Sequence, residues 1–339
     1  MRTLLIISLA ATLCGSAFAI TQGQLDDFQN GTDMNWTGGL APANVGNGQG
    51  GASDLYLRAS SNGAGGPGGH MAFYNQFQWT GNYTGAGVRM IECDMINLGA
   101  TELKMRVVLF SVNFTRYLSS TPVTLPAGSG WRRCQFPIRQ SDVTLVLGSE
   151  TYAQVMAGVS QLMFRHNPTI SANGVAIVAT LGIDNIVASA GWKMSGNLTL
   201  SDYGGTYPST ATFEFRQPGT ANVVYTSTGS LSGTGAYSVY SPPVPGAYDV
   251  SVKVGHWLRK TIALANTNAD LSQDFALING DVDDDNEIGI GDYAVLSSAY
   301  NSGVGDPNWV EAADLNGDEA VDIADYAILS ANYGLAGDE

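Results

Sequence analysis

The sequence predicts a mainly β protein that ends in a short helical segment. Two observations point to β-structure. Charged residues make up only 13% of the chain, and 42 glycines supply turns between many short runs in which apolar and polar residues alternate. Helical structure is indicated by a segment that occurs twice after residue 279, each time with apolar residues three and four positions apart. At 339 residues the chain is long enough for two or three domains.

The N-terminus carries an export pattern. A positively charged start, Met1-Arg2-Thr3, precedes an apolar run from Leu4 to Leu13 and the sequence Ala17-Phe18-Ala19. This pattern predicts a signal peptide over residues 1–19 that is cleaved after Ala19. The apolar run is too short to span a bilayer, and no other run approaches that length. We therefore expect a secreted or cell-surface-attached protein with no membrane span.

Residues 20–190 are predicted to form one β-sandwich. Short strand-like runs alternate with turn signals, which is typical of an antiparallel sandwich. The predicted strands are 54–58, 71–77, 87–95, 103–110, 131–138, 159–165, 175–179 and 181–187.

Three short motifs of this domain resemble a known class of sandwich. The segments Asp26-Asp27-Phe28, Trp79-Thr80-Gly81-Asn82-Tyr83 and Ile183-Asp184-Asn185-Ile186 resemble jelly-roll domains of the galactose-binding-like and carbohydrate-binding-module class. The resemblance implies that the first and last strands lie side by side. It also makes Asp184, with Asp26 or Asp27, a candidate site for a structural calcium ion. The alternative, in which Asp184 caps a turn by accepting hydrogen bonds from nearby backbone amides, stays open.

The same domain carries candidate sugar-contacting rings. Sugar-binding sandwiches stack flat aromatic rings on the apolar face of a sugar, and the candidates here are Tyr74, Trp79, Tyr83 and Trp131. Strand alternation from residue 70 to 79 places Tyr74 and Gln76 on one face and Phe73 and Asn75 on the other. One face must be core, so some of these rings are packing residues. The few acids of this domain and the three histidines of the whole chain form no catalytic pattern, which favours a binding protein but leaves an enzyme open.

Residues 191–278 are predicted to form a second, smaller sandwich. Its predicted strands are 196–200, 211–216, 223–226, 236–240, 247–254 and 256–263. The segment 196–200, Gly-Asn-Leu-Thr-Leu, together with the stretch from Pro245 to Val250, resembles the immunoglobulin- or prealbumin-like sandwiches related to the carboxypeptidase regulatory domain. The resemblance implies a spacer domain with Tyr248 and Val250 in its core.

Residues 279–339 contain two loops with oxygen donors at regular positions. In the first loop, positions 1, 3, 5 and 12 are acids and the backbone carbonyl of residue 287 is available at position 7, which gives Asp281, Asp283, Asp285, Glu287 and Asp292. In the second loop the corresponding residues, with one more at position 9, are Asp314, Asn316, Asp318, Ala320, Asp322 and Asp325. This is the ligand spacing of an EF-hand-type calcium loop, and each copy leads into an amphipathic helix.

The duplicated loop and helix resembles the type I dockerin module over nearly all of residues 279–338. The resemblance implies calcium as cofactor and a cohesin-like domain as partner. Two departures stand out, because Asn286 and Glu319 occupy position 6, where the family has glycine. Asn tolerates a left-handed backbone better than Glu, so we expect stepwise calcium binding with the second loop weaker.

Partner recognition in that family falls on loop positions 10 and 11 and on the helix that follows. The matching residues are Ile290, Gly291, Ser297, Ser298, Ile323, Ala324, Ser330 and Ala331. The near-symmetry of the two copies would allow two docking orientations related by a half-turn. The alternative is a calcium-stabilised module without a partner.

The charge of the chain is confined to this last module. Residues 281–339 hold fifteen of the thirty acids and no Lys or Arg, so the rest of the chain has fifteen acids and fifteen bases. No basic surface is left to meet phosphates, which argues against nucleic-acid binding. In the exported chain Cys93 and Cys134 could form a disulfide, and the alternative of two free thiols stays open, because the sequence does not place them within bonding distance.

Together these patterns predict a secreted modular protein that is attached to a cohesin-bearing partner through a calcium-dependent dockerin. Its first sandwich is a candidate binder of polysaccharide. Two alternatives stay open: an extracellular polysaccharide-degrading enzyme or accessory factor, and a purely structural surface or matrix protein.

Overall fold

A computed structural model describes residues 19–339, and the protein is mainly β with helices near its C-terminus. The described residues form two compact units that meet in sequence between Ala188 and Ser189. Apart from Ala19, the predicted signal peptide lies outside the described residues. No helix in the described range is long and apolar enough to cross a membrane.

The first unit contains thirteen strands within the described range and one short helix, α1 (Tyr152–Met156). The strands are β1 (Leu25–Asp26), β2 (Thr37–Gly38), β3 (Ala43–Val45), β4 (Tyr56–Asn62), β5 (Ala72–Asn75), β6 (Met90–Asn97), β7 (Leu103–Phe110), β8 (Arg116–Ser119), β9 (Val123–Leu125), β10 (Arg132–Pro137), β11 (Val143–Leu147), β12 (Gln161–His166) and β13 (Val178–Ser189). Two single 3₁₀ turns occupy Pro67–Gly69 and Gln140–Asp142.

These strands form two sheets that face each other across one core. One sheet has the order β10-β6-β13-β4-β3, with β1 beside β13, and the other has the order β11-β8-β7-β12-β5-β2, with β9 beside β7. The first and last strands pair, with Leu25 opposite Val187, which confirms the predicted adjacency. The strand predicted at 181–187 forms as part of β13, whereas the separate strand predicted at 175–179 was wrong, because β13 begins only at Val178 and continues without a break to Ser189.

Aromatic rings fill the space between the two sheets. Trp36, Phe73 and Phe164 contact one another with centroid separations of 5.4 to 5.8 Å, and all three are fully buried. Burying such large apolar surfaces is the main stabilising term of a sandwich of this kind.

The second unit contains a sandwich and the duplicated C-terminal segment. Its strands are β14 (Lys193–Leu200), β15 (Thr210–Arg216), β16 (Val223–Ser230), β17 (Ala236–Tyr240), β18 (Tyr248–Val252), β19 (Lys260–Leu264), β20 (Leu271–Ser272), β21 (Phe275–Leu277), β22 (Ser302–Gly303) and β23 (Ala320–Val321). Its helices are α2 (Ile290–Ala299) and α3 (Ile323–Asn332), and a 3₁₀ turn occupies Glu311–Ala313.

The sandwich of the second unit has sheets β16-β15-β18-β19 and β17-β14-β20, with β21 also beside β14. Phe213 stacks on Tyr237 at 4.5 Å between them. Val250 is buried and Tyr248 half-buried, and both belong to this core or pack against it, as predicted. The strand predicted at 256–263 is shorter than expected, because β19 begins only at Lys260.

The duplicated segment folds as two loop-helix units around a small core of its own. That core includes Ile288, Leu296, Leu315, Val321 and Leu329, all at most 1% exposed. The two copies are joined through the short ladder between β22 and β23. The predicted helices therefore form with one apolar face each.

Candidate functional site

The first loop brings three carboxylates together. Ligand oxygens of Asp281, Asp283 and Asp285 lie within 4.8 Å of one another. Asp281 is 1% exposed, and its Oδ1 is buried without a hydrogen-bond partner, whereas Asp283 and Asp285 are exposed to solvent. A buried carboxylate oxygen with no donor costs free energy unless a cation binds it. Hard oxygen donors in this arrangement fit calcium.

The acid at position 12 connects each loop to its helix. Asp292 Oδ1 accepts hydrogen bonds from the backbone N–H groups of Val282 (2.5 Å) and Asp283 (3.1 Å), and its Oδ2 accepts from Gly289 (2.6 Å). This carboxylate therefore fixes the loop backbone against the first turn of α2.

The second loop repeats that arrangement. Asp325 Oδ1 accepts from Leu315 (2.7 Å) and Asn316 (3.1 Å), and its Oδ2 accepts from Asp322 (2.8 Å). Because the same bonds recur in both copies, the sequence duplication corresponds to a structural one. Asp322, at position 9, also caps α3 by accepting from Ala324 N at 2.7 Å.

Position 6 adopts a left-handed backbone in both loops despite the absence of glycine. Asn286 has a φ of 70° and Glu319 a φ of 69°, and their N–H groups donate to position-1 carboxylates, Asp281 Oδ2 at 3.1 Å and Asp314 Oδ2 at 2.9 Å. The loop geometry is therefore kept in both copies.

Asn286 also connects the first loop to the sandwich of the same unit. Its Oδ1 accepts from Arg259 N at 2.8 Å, and its Nδ2 donates to Asp338 O at 3.2 Å. Glu319, by contrast, has an exposed side chain. The sequence identified both departures from glycine but not this role of Asn286, because its partners lie 27 and 52 residues away.

Clustering and burial raise the pKa of several loop acids. Burial raises the pKa of Asp281, and the charge of Asp292 adds to this, while Lys253 opposes it. Partial desolvation within the loop also raises the pKa of the solvent-exposed Asp283, and the charges of Asp292 and Asp285 raise it further. Burial likewise raises the pKa of Asp325. A bound cation would relieve this repulsion.

The helices present an apolar surface beside the loops. Ile290 is 73% exposed and Ile323 68% exposed, at equivalent positions of the two copies. A shallow groove of about 370 Å³ is lined by Ile290, Tyr293, Leu329, Ser330 and Tyr333. The docking residues predicted from the sequence did not include Tyr293, Leu329 or Tyr333, although each tyrosine recurs in the other copy, as Tyr326 and Tyr300 respectively.

The other predicted partner-binding residues lie mostly on the surface. The exposed ones are Ser297, Ser298, Ala324, Ser330 and Ala331. Gly291 is half-buried, and a Cβ at this position would approach Asp283 Oδ2 to 2.0 Å. A side chain at position 291 would therefore displace the Asp283 carboxylate, whereas the equivalent position of the second copy carries Ala324.

Two of the four candidate sugar-contacting rings are part of the core, so that part of the prediction was wrong. Trp79 and Tyr83 are both 0% exposed and belong to the main cluster of the first sandwich. Their polar groups are used internally, since Trp79 Nε1 donates to Asp26 Oδ2 at 2.7 Å and Tyr83 Oη donates to Trp79 O at 3.0 Å. Tyr74 and Trp131 remain half-exposed, and Trp131 packs edge-on against Tyr56 at 5.2 Å.

The three acids proposed for a structural calcium have different environments. Asp26 is buried, and its Oδ2 accepts from both Trp36 Nε1 (2.7 Å) and Trp79 Nε1 (2.7 Å) as well as from Gln78 Nε2 (3.0 Å). This carboxylate therefore anchors two core indoles. Asp27 is half-buried, and its Oδ1 accepts from Gln29 N at 3.2 Å.

Asp184, the third of these acids, has a hydrogen-bond partner for only one of its two carboxylate oxygens. It is 1% exposed, its Oδ1 accepts from Asn185 N at 2.7 Å, and its Oδ2 is buried without a hydrogen-bond partner. Burial raises the pKa of Asp184 to about 7, and the charges of Asp54, Asp94 and Asp27 add to this. Asp184 therefore makes a hydrogen bond of the kind expected for a turn cap and also has the acidic neighbours expected of a calcium site.

Within the described part of the chain, Cys93 and Cys134 are free thiols and do not form a disulfide with each other. Cys93 and Cys134 are buried and directly opposite each other on β6 and β10. Burial raises the pKa of Cys134 to about 12 and also raises that of Cys93, so both thiols stay protonated.

The fold and loops define a β-sandwich chain that ends in a paired EF-hand-type module. Residues 279–332 match the family model of the dockerin type I domain, and this segment is a dockerin type I domain. No curated protein matches the chain.

Several solved structures are similar to parts of the chain. One is a type II cohesin–X–dockerin complex from Acetivibrio cellulolyticus, with 21% identity over 43% of this chain and 98% of that one, at a TM-score of 0.36. Another is a family 11 carbohydrate-binding module from Clostridium thermocellum in complex with a β-1,3-1,4-mixed-linked tetrasaccharide, with 15% identity over 50% of this chain and 95% of that one, at a TM-score of 0.33. A family 30 carbohydrate-binding module of a cellulosomal cellulase from Clostridium thermocellum has 14% identity over 50% of this chain and 93% of that one, at a TM-score of 0.29.

Proposed function

We propose that this protein is exported and attaches to a cohesin domain of a scaffold or cell-surface protein through its dockerin, with calcium as the structural cofactor. The observation that carries the proposal is the paired loop, in which the buried Asp281 Oδ1 lacks a partner and the acids at position 12 hold each loop against its helix. Calcium would supply the positive charge that these acids need and so order both helices.

The residues that would hold calcium follow the predicted spacing. In the first loop these are Asp281, Asp283, Asp285, the carbonyl of Glu287, and Asp292. In the second loop they are Asp314, Asn316, Asp318, the carbonyl of Ala320, Asp322 and Asp325. This chain's own contribution is to pre-position the ligands, because the backbone N–H groups of each loop already orient the carboxylates at positions 1 and 12.

The docking surface would consist of the exposed residues at equivalent places of the two copies. Ile290 and Ile323 are the most exposed large apolar side chains of the two helices, and each is the first residue of its helix. Buried apolar anchors of this kind carry much of the affinity of protein interfaces. Because the two isoleucines are equivalent, either copy could engage the same partner surface.

Binding of the full chain to a panel of type I cohesin domains tests the proposal. We expect calcium-dependent binding that Ile290→Glu or Ile323→Glu alone reduces only in part and that the double variant abolishes. Val304→Glu is the matched control, since Val304 is equally exposed (68%) but lies outside both helices. Absence of binding to every cohesin, or full binding by the double variant, would contradict the proposal.

We further propose that the first sandwich binds polysaccharide through a half-exposed ring. Tyr74 lies on β5, where its neighbours Phe73 and Asn75 are buried, so the Tyr74 ring is on the outer side of the sheet. Exposed Gln76 lies on the same face; its Nε2 donates to Gln161 Oε1 at 2.8 Å, and its carbonyl oxygen can accept from sugar hydroxyl groups. A glycan array with the full chain, alongside a reducing-sugar release assay, distinguishes a binder from a hydrolase, and silence in both favours a structural protein.

Asp184 and Asp27 are retained as candidate ligands of a calcium ion in the first unit. The support is the unpartnered, buried Asp184 Oδ2 and the surrounding acids. Asp26 is the weaker candidate, because its Oδ2 accepts from three side-chain donors, two of them core indoles.

A further inference from the structure

A lysine from the sandwich of the second unit reaches into the first calcium loop. Lys253 directly follows β18, and its Nζ lies 3.0 Å from Asp281 Oδ2 and 3.1 Å from the carbonyl oxygen of Gly255. It also forms an ion pair with Asp284 Oδ1. The Lys253 side chain is only 15% exposed, so three acceptors and the surrounding protein hold the ammonium group in place.

The two oxygens of Asp281 have separate roles. Oδ2 accepts from Lys253 and from the backbone N–H of Asn286, while the buried Oδ1 has no hydrogen-bond partner. Lys253 therefore leaves Oδ1, the oxygen that would bind an ion, without a hydrogen bond. It nevertheless holds a positive charge next to the same carboxylate.

We propose that Lys253 is a built-in counter-cation that lowers the calcium affinity of the first loop, so that the second loop fills first. The inference rests on the proposed calcium binding of the dockerin. A divalent ion held by Oδ1 would be repelled by the ammonium group on Oδ2. For charges of +2 and +1 about 6 Å apart, the repulsion in a medium with the dielectric constant of water amounts to about a tenfold effect on affinity.

The second loop has no such cation. Asp314 Oδ1 accepts from the backbone N–H groups of Gly317 (2.9 Å) and Asp318 (3.2 Å), and its Oδ2 accepts from Glu319 (2.9 Å). Among the described residues, no acid of this loop forms an ion pair with Lys or Arg. We therefore expect the second loop to bind calcium first. The residues at position 6, Asn286 and Glu319, taken alone predict the opposite order.

The coupling acts in both directions. If Lys253 lowers the calcium affinity of the first loop, calcium in that loop weakens the hold of Asp281 on Lys253 by the same factor. Calcium thus weakens the ion pair between Lys253 of this sandwich and Asp281 of the dockerin. The hydrogen bonds from Gly280 N and Asp281 N to His256 O, both 3.0 Å long, also join the two parts and do not depend on the charge of Lys253.

Site-resolved calcium titration of the full chain by nuclear magnetic resonance tests the inference. The amide signals of Asn286 and Glu319 report the two loops separately, because each N–H bonds to the position-1 carboxylate of its own loop. The variants are Lys253→Met, which removes the charge, Lys253→Gln, which keeps a donor, and Lys253→Arg, which keeps the charge. Lys260→Met is the control, since Lys260 pairs with Asp338 at 3.1 Å on the surface of the same unit.

In the wild-type chain we expect the Glu319 signal to respond at lower calcium than the Asn286 signal. Lys253→Met and Lys253→Gln should shift the Asn286 midpoint to about tenfold lower calcium or further and leave the Glu319 midpoint within about twofold. Lys253→Arg and Lys260→Met should leave both within about twofold. An unchanged or raised Asn286 midpoint in the neutral variants would overturn the inference, whereas loss of any calcium response in the wild-type chain would remove the calcium proposal itself.

Discussion

The side chain at position 6 of the first loop provides a sharp test of how the dockerin is joined to its neighbouring sandwich. Replacing Asn286 by Gly removes two hydrogen bonds, to Arg259 N (2.8 Å) and Asp338 O (3.2 Å), and relieves a left-handed backbone with a φ of 70°. Each bond contributes about 1 kcal/mol. Relief of the left-handed strain returns about 1 kcal/mol or less. The net expectation is a loss of about 1 kcal/mol.

Glu319→Gly is the matched control at the same position of the second loop. Glu319 has a φ of 69°, and among the described residues its exposed side chain makes no hydrogen bond or ion pair. Only the strain is relieved there, so this variant should gain about 1 kcal/mol. The two substitutions, identical in backbone geometry, should therefore change stability in opposite directions.

Urea unfolding of the full chain in saturating calcium, followed by far-ultraviolet circular dichroism at the helix minimum, measures both changes. Asn286→Ala should be the least stable variant, because it loses both bonds and keeps the strained backbone. If Asn286→Gly is stabilised as much as Glu319→Gly, the side-chain bonds of Asn286 contribute nothing and the reasoning is refuted.

Two further predictions concern the first unit. Burial raises the pKa of Asp184 to about 7, so its protonated form adds stability that is fully present below pH 4 and is lost as the pH rises through 7. In chelator, Asp184→Asn should flatten the pH dependence of the free energy of unfolding between pH 4 and 7. The same variant should abolish any calcium-dependent rise in the melting temperature of this unit. An unchanged calcium effect would exclude Asp184 as a ligand. On a glycan that binds the wild-type chain, Tyr74→Ala should weaken binding at least tenfold without changing the melting temperature by more than a few degrees, and equal binding by the variant would exclude this ring as a contact.

Local periodicity predicted the architecture well where each element depends on its own residues. The run Leu103–Phe110 alternates and is a strand with the predicted bounds, and the duplicated loops and their helices form as expected. Helix α1 was missed although Thr151 and Gln154 form a capping box, because the helix has only five residues and lies between strands.

The features that sequence reasoning missed depend on contacts between distant residues. Trp79 lies in the core, and its indole N–H donates to Asp26, 53 residues earlier. No local pattern in the sequence distinguishes such a ring from one that faces solvent. Lys253 acts on a loop that begins 28 residues later in the chain, through a contact that only the packing of the second unit creates. Spacing identified the ligands of the loop, but the fold determines which charges surround them.

Calcium dependence of cohesin binding by the full chain tests the central claim most directly. Isothermal titration calorimetry with a matching type I cohesin measures this dependence. We predict binding in calcium, no detectable binding after chelation, and recovery of binding when calcium is restored. Circular dichroism of the same samples should show helix lost and regained in parallel. Binding of equal affinity with and without calcium would contradict the account.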